Sequence, residues 1–189
     1  DPLGRFWAGT MDMDEKGPLG SLYMLNHQHQ LTRQWLGVTV SNGLAWDMSG
    51  KQPTFYYIDS PTRQVVAFDY EPDTGSLSNR RVAIAIPDGE GFPDGMTIDS
   101  EGALWIALWQ GWGVVRYNPK TGERLGKIEI PVEKVTSCTF GGPDLNDLFI
   151  TTASIGLAPD ARAAQPDAGA VFRVKTDSTG LPTILFRTH

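Results

Sequence analysis

Cysteine is almost absent from this chain, because Cys138 is the single one among 189 residues. A single thiol excludes both an internal disulfide bond and a cysteine-rich zinc site. The sequence also lacks any Asn-x-Ser/Thr glycosylation signal. These absences are compatible with a reducing compartment, and we predict a cytoplasmic protein.

Long apolar runs are missing as well. The longest uninterrupted run covers seven residues, 103–109, whereas a helix needs roughly 20 to span a bilayer. We therefore expect no membrane partner. The chain begins with Asp1 rather than Met, and no segment that resembles a signal peptide precedes the first predicted strand. We interpret the sequence as the C-terminal part of a longer protein.

Basic residues are in the minority, with 16 Lys and Arg against 22 Asp and Glu and a net charge of −6. A protein that binds a phosphate backbone needs a basic face, so we expect no nucleic-acid partner. No Gly-x-Ser-x-Gly elbow and no Gly-x-x-x-x-Gly-Lys-Ser/Thr loop occurs, which leaves serine hydrolases and P-loop proteins without support. No segment indicates an obligate protein partner.

The chain is rich in residues that interrupt helices. Its 21 Gly and 13 Pro leave little room for helices of the usual length. Runs such as 54–58, 64–68 and 81–86 are rich in β-branched and aromatic residues and end at turn residues. The composition and these runs predict an all-β protein.

An internal repeat refines this prediction. A turn followed by an aromatic or apolar strand begins at Asp1, Asp47, Asp99 and Asp144, with spacings of 46, 52 and 45 residues. A unit of that length holds about four short strands, and such units stack around an axis as blades of a β-propeller. We predict one partial propeller domain over 1–189, with an incomplete blade at 1–38 and complete blades at 39–90, 91–133 and 134–189.

The loops that lead into the innermost strands of a propeller converge at one end of its channel. Two of them place an oxygen-bearing side chain directly before glycine, as Asn42-Gly43 and Asp94-Gly95. A carboxylate and an amide oxygen form a partial shell for a hard cation such as Ca²⁺. Asn-Gly and Asp-Gly are also common turn pairs, so the sequence leaves open a purely structural role.

Six motifs stand out along the chain: Asp-Pro-x-Gly-Arg-Phe-Trp-Ala-Gly-Thr-Met (1–11), Ser-Asn-Gly-Leu-Ala-Trp (41–46), Phe-Tyr-Tyr-Ile-Asp-Ser (55–60), Pro-Asp-Gly-Met (93–96), Leu-Trp-Ile-Ala-Leu-Trp (104–109) and Val-Thr-Ser-Cys-Thr-Phe-Gly-Gly (135–142). Together they resemble a known family, that of regucalcin (senescence marker protein), gluconolactonases and sugar lactonases. The resemblance covers essentially the whole chain, in order.

The resemblance implies a six-bladed propeller with one divalent metal ion, which hydrolyses sugar lactones such as gluconolactone to aldonic acids. It places Asn42 and Asp94 on two of the family's metal ligands and Asp14 on a substrate-contacting acidic position. The stretch around Asp14 allows a slip of one residue, and a solvated acidic loop explains it equally well. The family's third metal ligand, a Glu, and part of its substrate pocket have no counterpart here, so we expect the 189 residues alone to be inactive.

The expected chemistry follows from the cation, which polarises the lactone carbonyl and makes a bound water more acidic while a carboxylate takes the proton. Asp94 is the candidate for the carboxylate that takes the proton, although we assign it first as a metal ligand. Ca²⁺ is the favoured ion, and Zn²⁺, Mn²⁺, Mg²⁺ and Fe²⁺ stay open. Two other functions also stay open: a non-catalytic calcium-binding or interaction propeller, and a metal-dependent organophosphate or ester hydrolase.

Two further residue pairs attract attention without being assigned to the site. His27 and His29 alternate, but they lie between predicted strands, where an exposed loop is the simpler interpretation. Trp109 and Trp112 could stack on a sugar, yet packing between blades explains them as well.

Overall fold

A computed structural model describes residues 1–187, and it confirms an all-β protein built from four antiparallel sheets. The first sheet contains β1 (Phe6–Gly9), β2 (Gly20–Leu25) and β3 (Leu31–Val38); the second contains β4 (Ser41–Asp47), β5 (Thr54–Asp59), β6 (Gln64–Tyr70) and β7 (Leu77–Ala85). The third contains β8 (Phe92–Ile98), β9 (Leu104–Trp109), β10 (Gly113–Asn118) and β11 (Glu123–Glu129); the fourth contains β12 (Val135–Gly141), β13 (Asp147–Thr152) and β14 (Val171–Lys175). A 3₁₀ turn, Ser60–Thr62, and one short helix, α1 (Pro159–Ala164), complete the elements.

Within each sheet the strands pair in chain order, and the sheets pack face to face in the same order. One apolar cluster joins the first sheet to the second through Trp7, Leu22 and Phe55. Two more clusters join the second sheet to the third and the third to the fourth. The middle strands are buried on both faces, which explains why β5 and β9 have no polar alternation. This is the blade arrangement that the repeat predicts.

The repeated Asp-x-x-Gly-x-x-Trp segment has a physical explanation in the third sheet. Asp99 is 1% exposed, and one of its carboxylate oxygens accepts hydrogen bonds from the backbone N–H groups of Glu101 and Ala103. The other oxygen accepts from the indole N–H of Trp105 and from the Arg116 guanidinium, both at 2.9 Å. The carboxylate thus ties a turn, a strand and a neighbouring strand together, and Asp1 repeats the pattern with Leu3, Arg5 and Trp7.

The fourth sheet differs from the expectation. The sequence predicted a complete blade over 134–189, but the described residues form three strands there. After β14 the chain leaves the sheet: Gly180 forms a bridge with Asp99, and the backbone N–H of Arg187 donates to the carbonyl of Gly4 at 3.0 Å. Residues 181–187 therefore reach back to the first sheet instead of pairing with β14. Among residues 1–187, no helix has the length and apolar character that a membrane crossing requires.

Candidate metal and substrate site

The three innermost strands, β4, β8 and β12, carry an irregularity at the same place. The pairing of each with its neighbour shifts register near its first residues, between Ser41 and Leu44, between Pro93 and Met96, and near the start of β12. Such bulges bend a strand and re-aim its side chains. Asn42 and Asp94 both lie within these shifts, at equivalent points of the repeat.

The glycines that follow Asn42 and Asp94 serve close packing rather than a turn. Neither Gly43 nor Gly95 has a positive φ, and both lie inside strands. A Cβ on Gly43 would lie 2.8 Å from the carbonyl oxygen of Asp94, and a Cβ on Gly95 would lie 2.3 Å from Ser137 Oγ. The turn interpretation of these pairs is therefore wrong: glycine is needed because adjacent innermost strands approach each other here.

A substitution tests this close approach. Gly95→Ala would place a methyl group 2.8 Å from the Cα of Ser137, so part of the conflict is with backbone that cannot rotate away. We expect a loss of roughly 1–3 kcal/mol in the free energy of unfolding, as for other overpacked interiors. Urea denaturation of wild type and variant measures it. Gly126→Ala, whose added Cβ would meet nothing within 4 Å, is the matched control, and equal losses for both would contradict the explanation.

Asn42 and Asp94 line one cavity of about 340 Å³. The cavity lies at the end where β4 and β8 begin, as the sequence predicted for side chains in these loops. Its remaining walls come from the neighbouring loops and strands and are mostly apolar: Met11, Glu15, Val40, Ser60, Pro61, Phe92 and Trp109. Two residues that are 52 positions apart in the sequence thus meet at one pocket.

Asp94 is electrostatically unusual. Burial raises the pKa of its carboxyl group from 3.8 to about 7, although hydrogen bonds from the Gly95 backbone and the Asn42 side chain lower it in part. No ion pair within residues 1–187 includes Asp94. A desolvated carboxylate that faces a cavity without a positive partner is costly. Such a group is typical of functional sites.

The raised pKa of Asp94 predicts a pH-dependent stability in chelator-treated protein. The unfolded carboxyl ionises near pH 3.8 and the folded one near pH 7, so the folded state binds more protons between these values. Protonation of the Asp94 carboxyl therefore stabilises the folded state. This stabilisation is complete below about pH 4 and is lost as the pH rises through 7. We expect Asp94→Asn to stabilise the protein by about 1–2 kcal/mol at pH 8, after allowance for solvent screening. The gain should shrink towards pH 5, and a pH-independent difference in urea unfolding would contradict the assignment.

Ser60 fixes the orientation of Asn42. The Asn42 amide nitrogen donates to Ser60 Oγ at 2.8 Å, and this hydroxyl donates in turn to the carbonyl of Pro93 at 2.6 Å. Because the Ser60 proton is used on Pro93, its oxygen must accept from Asn42, which leaves the Asn42 oxygen free for another partner. Sequence reasoning missed Ser60, and the only signal was its place in the quoted Phe-Tyr-Tyr-Ile-Asp-Ser motif.

The structure does not bring Asp14 into the cavity. Its carboxylate forms a 2.6 Å ion pair with Lys16, and both side chains are mostly exposed. The Asp12 carboxylate accepts the backbone N–H groups of Asp14 and Lys16, so this loop turns Asp14 towards solvent. Glu15, the next residue, lines the cavity instead. This geometry corresponds to the one-residue slip that the sequence left open.

Other candidates separate clearly in the structure. Trp109 lines the cavity, whereas Trp112 is 44% exposed and is not part of its wall. His27 and His29 lie in the loop between β2 and β3, where a ring nitrogen of His27 contacts the carbonyl oxygen of Leu3 at 3.1 Å. Cys138 is buried, and burial raises the pKa of its thiol to about 12, which makes it unreactive.

The donors on this cavity are oxygens, which suits a hard cation. Asn42 offers an amide oxygen, Asp94 a half-buried carboxylate without an ion-pair partner among residues 1–187, and Glu15 a second carboxylate that lines the same cavity. Within the part of the chain that the structure describes, no group of three His, Cys, Asp or Glu side chains is placed to hold a metal ion. The residues present therefore fit part of a coordination shell.

The chain is similar to known proteins in both sequence and structure. Residues 1–154 match the family model described as the SMP-30/Gluconolactonase/LRE-like region. Regucalcin from Danio rerio is 49% identical over 176 residues, which are 92% of this chain and 59% of that protein. The chain thus spans about three-fifths of the length of the curated relatives that it matches.

Solved structures show the same relationship. A luciferin-regenerating enzyme superposes with a TM-score of 0.89 at 36% identity, over 99% of this chain and 63% of the other. A calcium-binding protein, regucalcin, from Agrobacterium tumefaciens superposes with a TM-score of 0.91 at 28% identity, over 98% and 62%. The four sheets therefore correspond to about three-fifths of these larger folds.

Proposed function

Because the chain belongs to the SMP-30/gluconolactonase/LRE-like family, we propose that its protein hydrolyses sugar lactones to aldonic acids with one divalent cation, of which Ca²⁺ is the favoured one. The observation that carries this proposal is that Asn42 and Asp94 line a single cavity, with Asp94 half-buried and without an ion-pair partner among residues 1–187. A cation is the natural counter-charge for such a carboxylate.

Asn42 and Asp94 would hold the cation through the amide oxygen and the carboxylate. When bound, a divalent cation supplies polarisation of the lactone carbonyl and greater acidity of a nearby water. Ser60 keeps the Asn42 oxygen available by accepting the amide N–H. Water adds to the carbonyl carbon, the ring C–O bond breaks, and the ring oxygen receives the proton, which gives an open-chain hydroxy acid.

The carboxylates divide between binding and proton transfer. Asp94 acts first as a ligand, because a carboxylate bound to a cation is a weak base. Glu15 is the other carboxylate on the cavity and is exposed, so we assign proton transfer to it. Substrate contact by an acidic side chain of this loop, predicted for Asp14, is better supplied by Glu15 in this geometry. The apolar remainder of the cavity fits a small organic molecule rather than a polymer.

The proposal is tested with the protein at the full length that its gene encodes. Release of acid from glucono-1,5-lactone is followed with a pH indicator, before and after treatment with EDTA, and after Ca²⁺, Zn²⁺, Mn²⁺ or Mg²⁺ is added back. We expect activity to fall at least about tenfold on chelation and to return with at least one ion. Turnover that is indifferent to chelation would overturn the metal assignment.

A second candidate is a calcium-binding protein without turnover, and the description of the Agrobacterium tumefaciens regucalcin as calcium-binding supports it. The same preparation distinguishes the two functions. Calorimetric titration with Ca²⁺ that shows tight binding, together with no hydrolysis of any lactone in a panel, would favour this candidate over the enzyme. An ester and organophosphate panel measured in parallel identifies a hydrolase with a different substrate.

A further inference from the structure

Two aromatic side chains on the cavity wall are direct neighbours. Phe92 at the start of β8 pairs with Trp109 at the end of β9, and both line the cavity that holds Asp94. Both are only partly buried, whereas most other residues of β9 are fully buried. The rings therefore form an apolar wall, termed here the Phe92/Trp109 wall, that begins two residues from Asp94.

Each ring of this wall has a cation over one of its faces. The Arg63 guanidinium carbon lies 4.3 Å from the centre of the Phe92 ring, and Lys134 Nζ lies 4.9 Å from the Trp109 ring. Both distances are within the range of a cation–π interaction. A ring face that is covered by a cation is closed to a ligand, so ligand contact is left to the opposite face or the edge.

Lys134 is a buried cation, and packing alone would be better served by an apolar side chain. The residue is 6% exposed, and no carboxylate within residues 1–187 forms an ion pair with it. Its ammonium donates to the carbonyl of Ile155 at 2.7 Å, and its backbone bridges to Trp109. Burial of an ammonium group with only a carbonyl and a ring as partners is unfavourable compared with an apolar side chain of the same length.

Arg63 is held in a similar way. It has a positive φ of 53° at the end of the 3₁₀ turn, its guanidinium donates to the carbonyl of Gly91, and Asp88 lies 3.4 Å away. The carbonyl of Gly91 directly precedes Phe92, so the same guanidinium fixes both the backbone and the ring at the start of β8.

We propose that the Phe92/Trp109 wall is a substrate-contact surface for the C–H face of a cyclic sugar lactone, and that Lys134 and Arg63 are positioning residues that hold its two rings. The proposal rests on the proposed lactonase function for its substrate class. Aromatic rings present an apolar face that matches the C–H side of a six-membered sugar ring, while the oxygen donors of Asn42 and Asp94 face the same cavity.

The wall predicts a specific kinetic signature. In the full-length protein, Trp109→Ala and Lys134→Met should raise KM for glucono-1,5-lactone about 5- to 20-fold and change kcat less than about threefold, because ring contact is made in both ground and transition states. Lys134→Arg keeps a cation over the ring and should restore KM to within about twofold of wild type. Leu125→Ala, at an exposed position of β11, is the matched control for loss of an apolar side chain.

Direct binding separates this inference from the proposed function. Methyl β-D-glucopyranoside has the sugar ring but no ester, and its inhibition or calorimetric binding reports ring contact even if no lactone is hydrolysed. We expect Trp109→Ala to weaken it to the same degree as it raises KM. Unchanged KM and unchanged glycoside binding in Trp109→Ala, with thermal unfolding like that of wild type, would overturn the wall. Failure of Lys134→Arg to rescue Lys134→Met would overturn the positioning role of Lys134.

Discussion

Replacing Asp94 by Asn is expected to lower kcat/KM for lactone hydrolysis by at least about 100-fold. The substitution keeps the size of the side chain but removes the negative charge of the half-buried carboxylate that lines the cavity. An amide retains one oxygen donor, yet it provides no counter-charge for a divalent cation. The measurement compares initial rates of acid release for wild type and variant, both in the full-length protein and at saturating Ca²⁺.

The matched control for this prediction is Asp144→Asn. Asp144 is an exposed carboxylate in the turn that joins β12 to β13, and its replacement changes net charge by the same amount. Its rate should stay within about twofold of wild type, since surface substitutions away from special features have small effects. Calorimetric titration with Ca²⁺ should show weakened binding in Asp94→Asn alone. A variant at Asp94 that retains wild-type rates would remove this residue from the site.

Loss of the Asp99 carboxylate is expected to give the largest change in stability. Asp99→Ala leaves two backbone N–H groups, the Trp105 indole N–H and the Arg116 guanidinium without their common acceptor. Removal of one partner from a buried charged network costs about 3–5 kcal/mol, and unpaired buried donors add to the loss. For a chain of this size, 1 kcal/mol corresponds to roughly 2–4 °C in Tm, so a decrease of about 10 °C is expected.

Arg116 also pairs with Glu101, and this second contact supplies the control. The Glu101 side chain is 72% exposed, and an exposed ion pair contributes about 0–1 kcal/mol. Glu101→Gln should therefore change Tm by no more than a few degrees. Thermal unfolding followed by circular dichroism measures both variants, and comparable losses would show that burial of Asp99 is not the cause. Activity measured well below Tm should be retained in both.

The sequence indicated the class of fold because its causes are local and repeated. Strand-forming runs between Gly and Pro breakers predicted antiparallel sheets, and the turn-and-strand repeat at Asp1, Asp47, Asp99 and Asp144 predicted their number and order; two of its four copies have the form Asp-x-x-Gly-x-x-Trp. This segment is a self-contained hydrogen-bonded turn in which Asp99 binds groups two to six residues away, apart from Arg116. Because such a network needs the same residue types at the same short spacing in each sheet, it is visible in the sequence as a repeat.

The site was only partly accessible by the same route. Asn42 and Asp94 were recognisable by their equal places in the repeat, but the reason for the glycines beside them was not. The sequence could not show that Gly95 faces Ser137 of the next innermost strand, because that approach depends on how sheets pack. The acidic loop was ambiguous for a related reason, since a single residue of register decides whether Asp14 or Glu15 meets the cavity.

The amino-acid order by itself therefore determined the all-β sheets, their order along the chain and the equivalent places of Asn42 and Asp94 in the repeat, since these depend on short-range propensity and on a repeated period. Only the tertiary structure decided that Asn42 and Asp94 share a cavity, that burial raises the pKa of Asp94 to about 7, and that Lys134 and Arg63 lie over the rings of Trp109 and Phe92. Desolvation and contacts between distant segments arise from packing in three dimensions, and no local pattern in the chain encodes them directly.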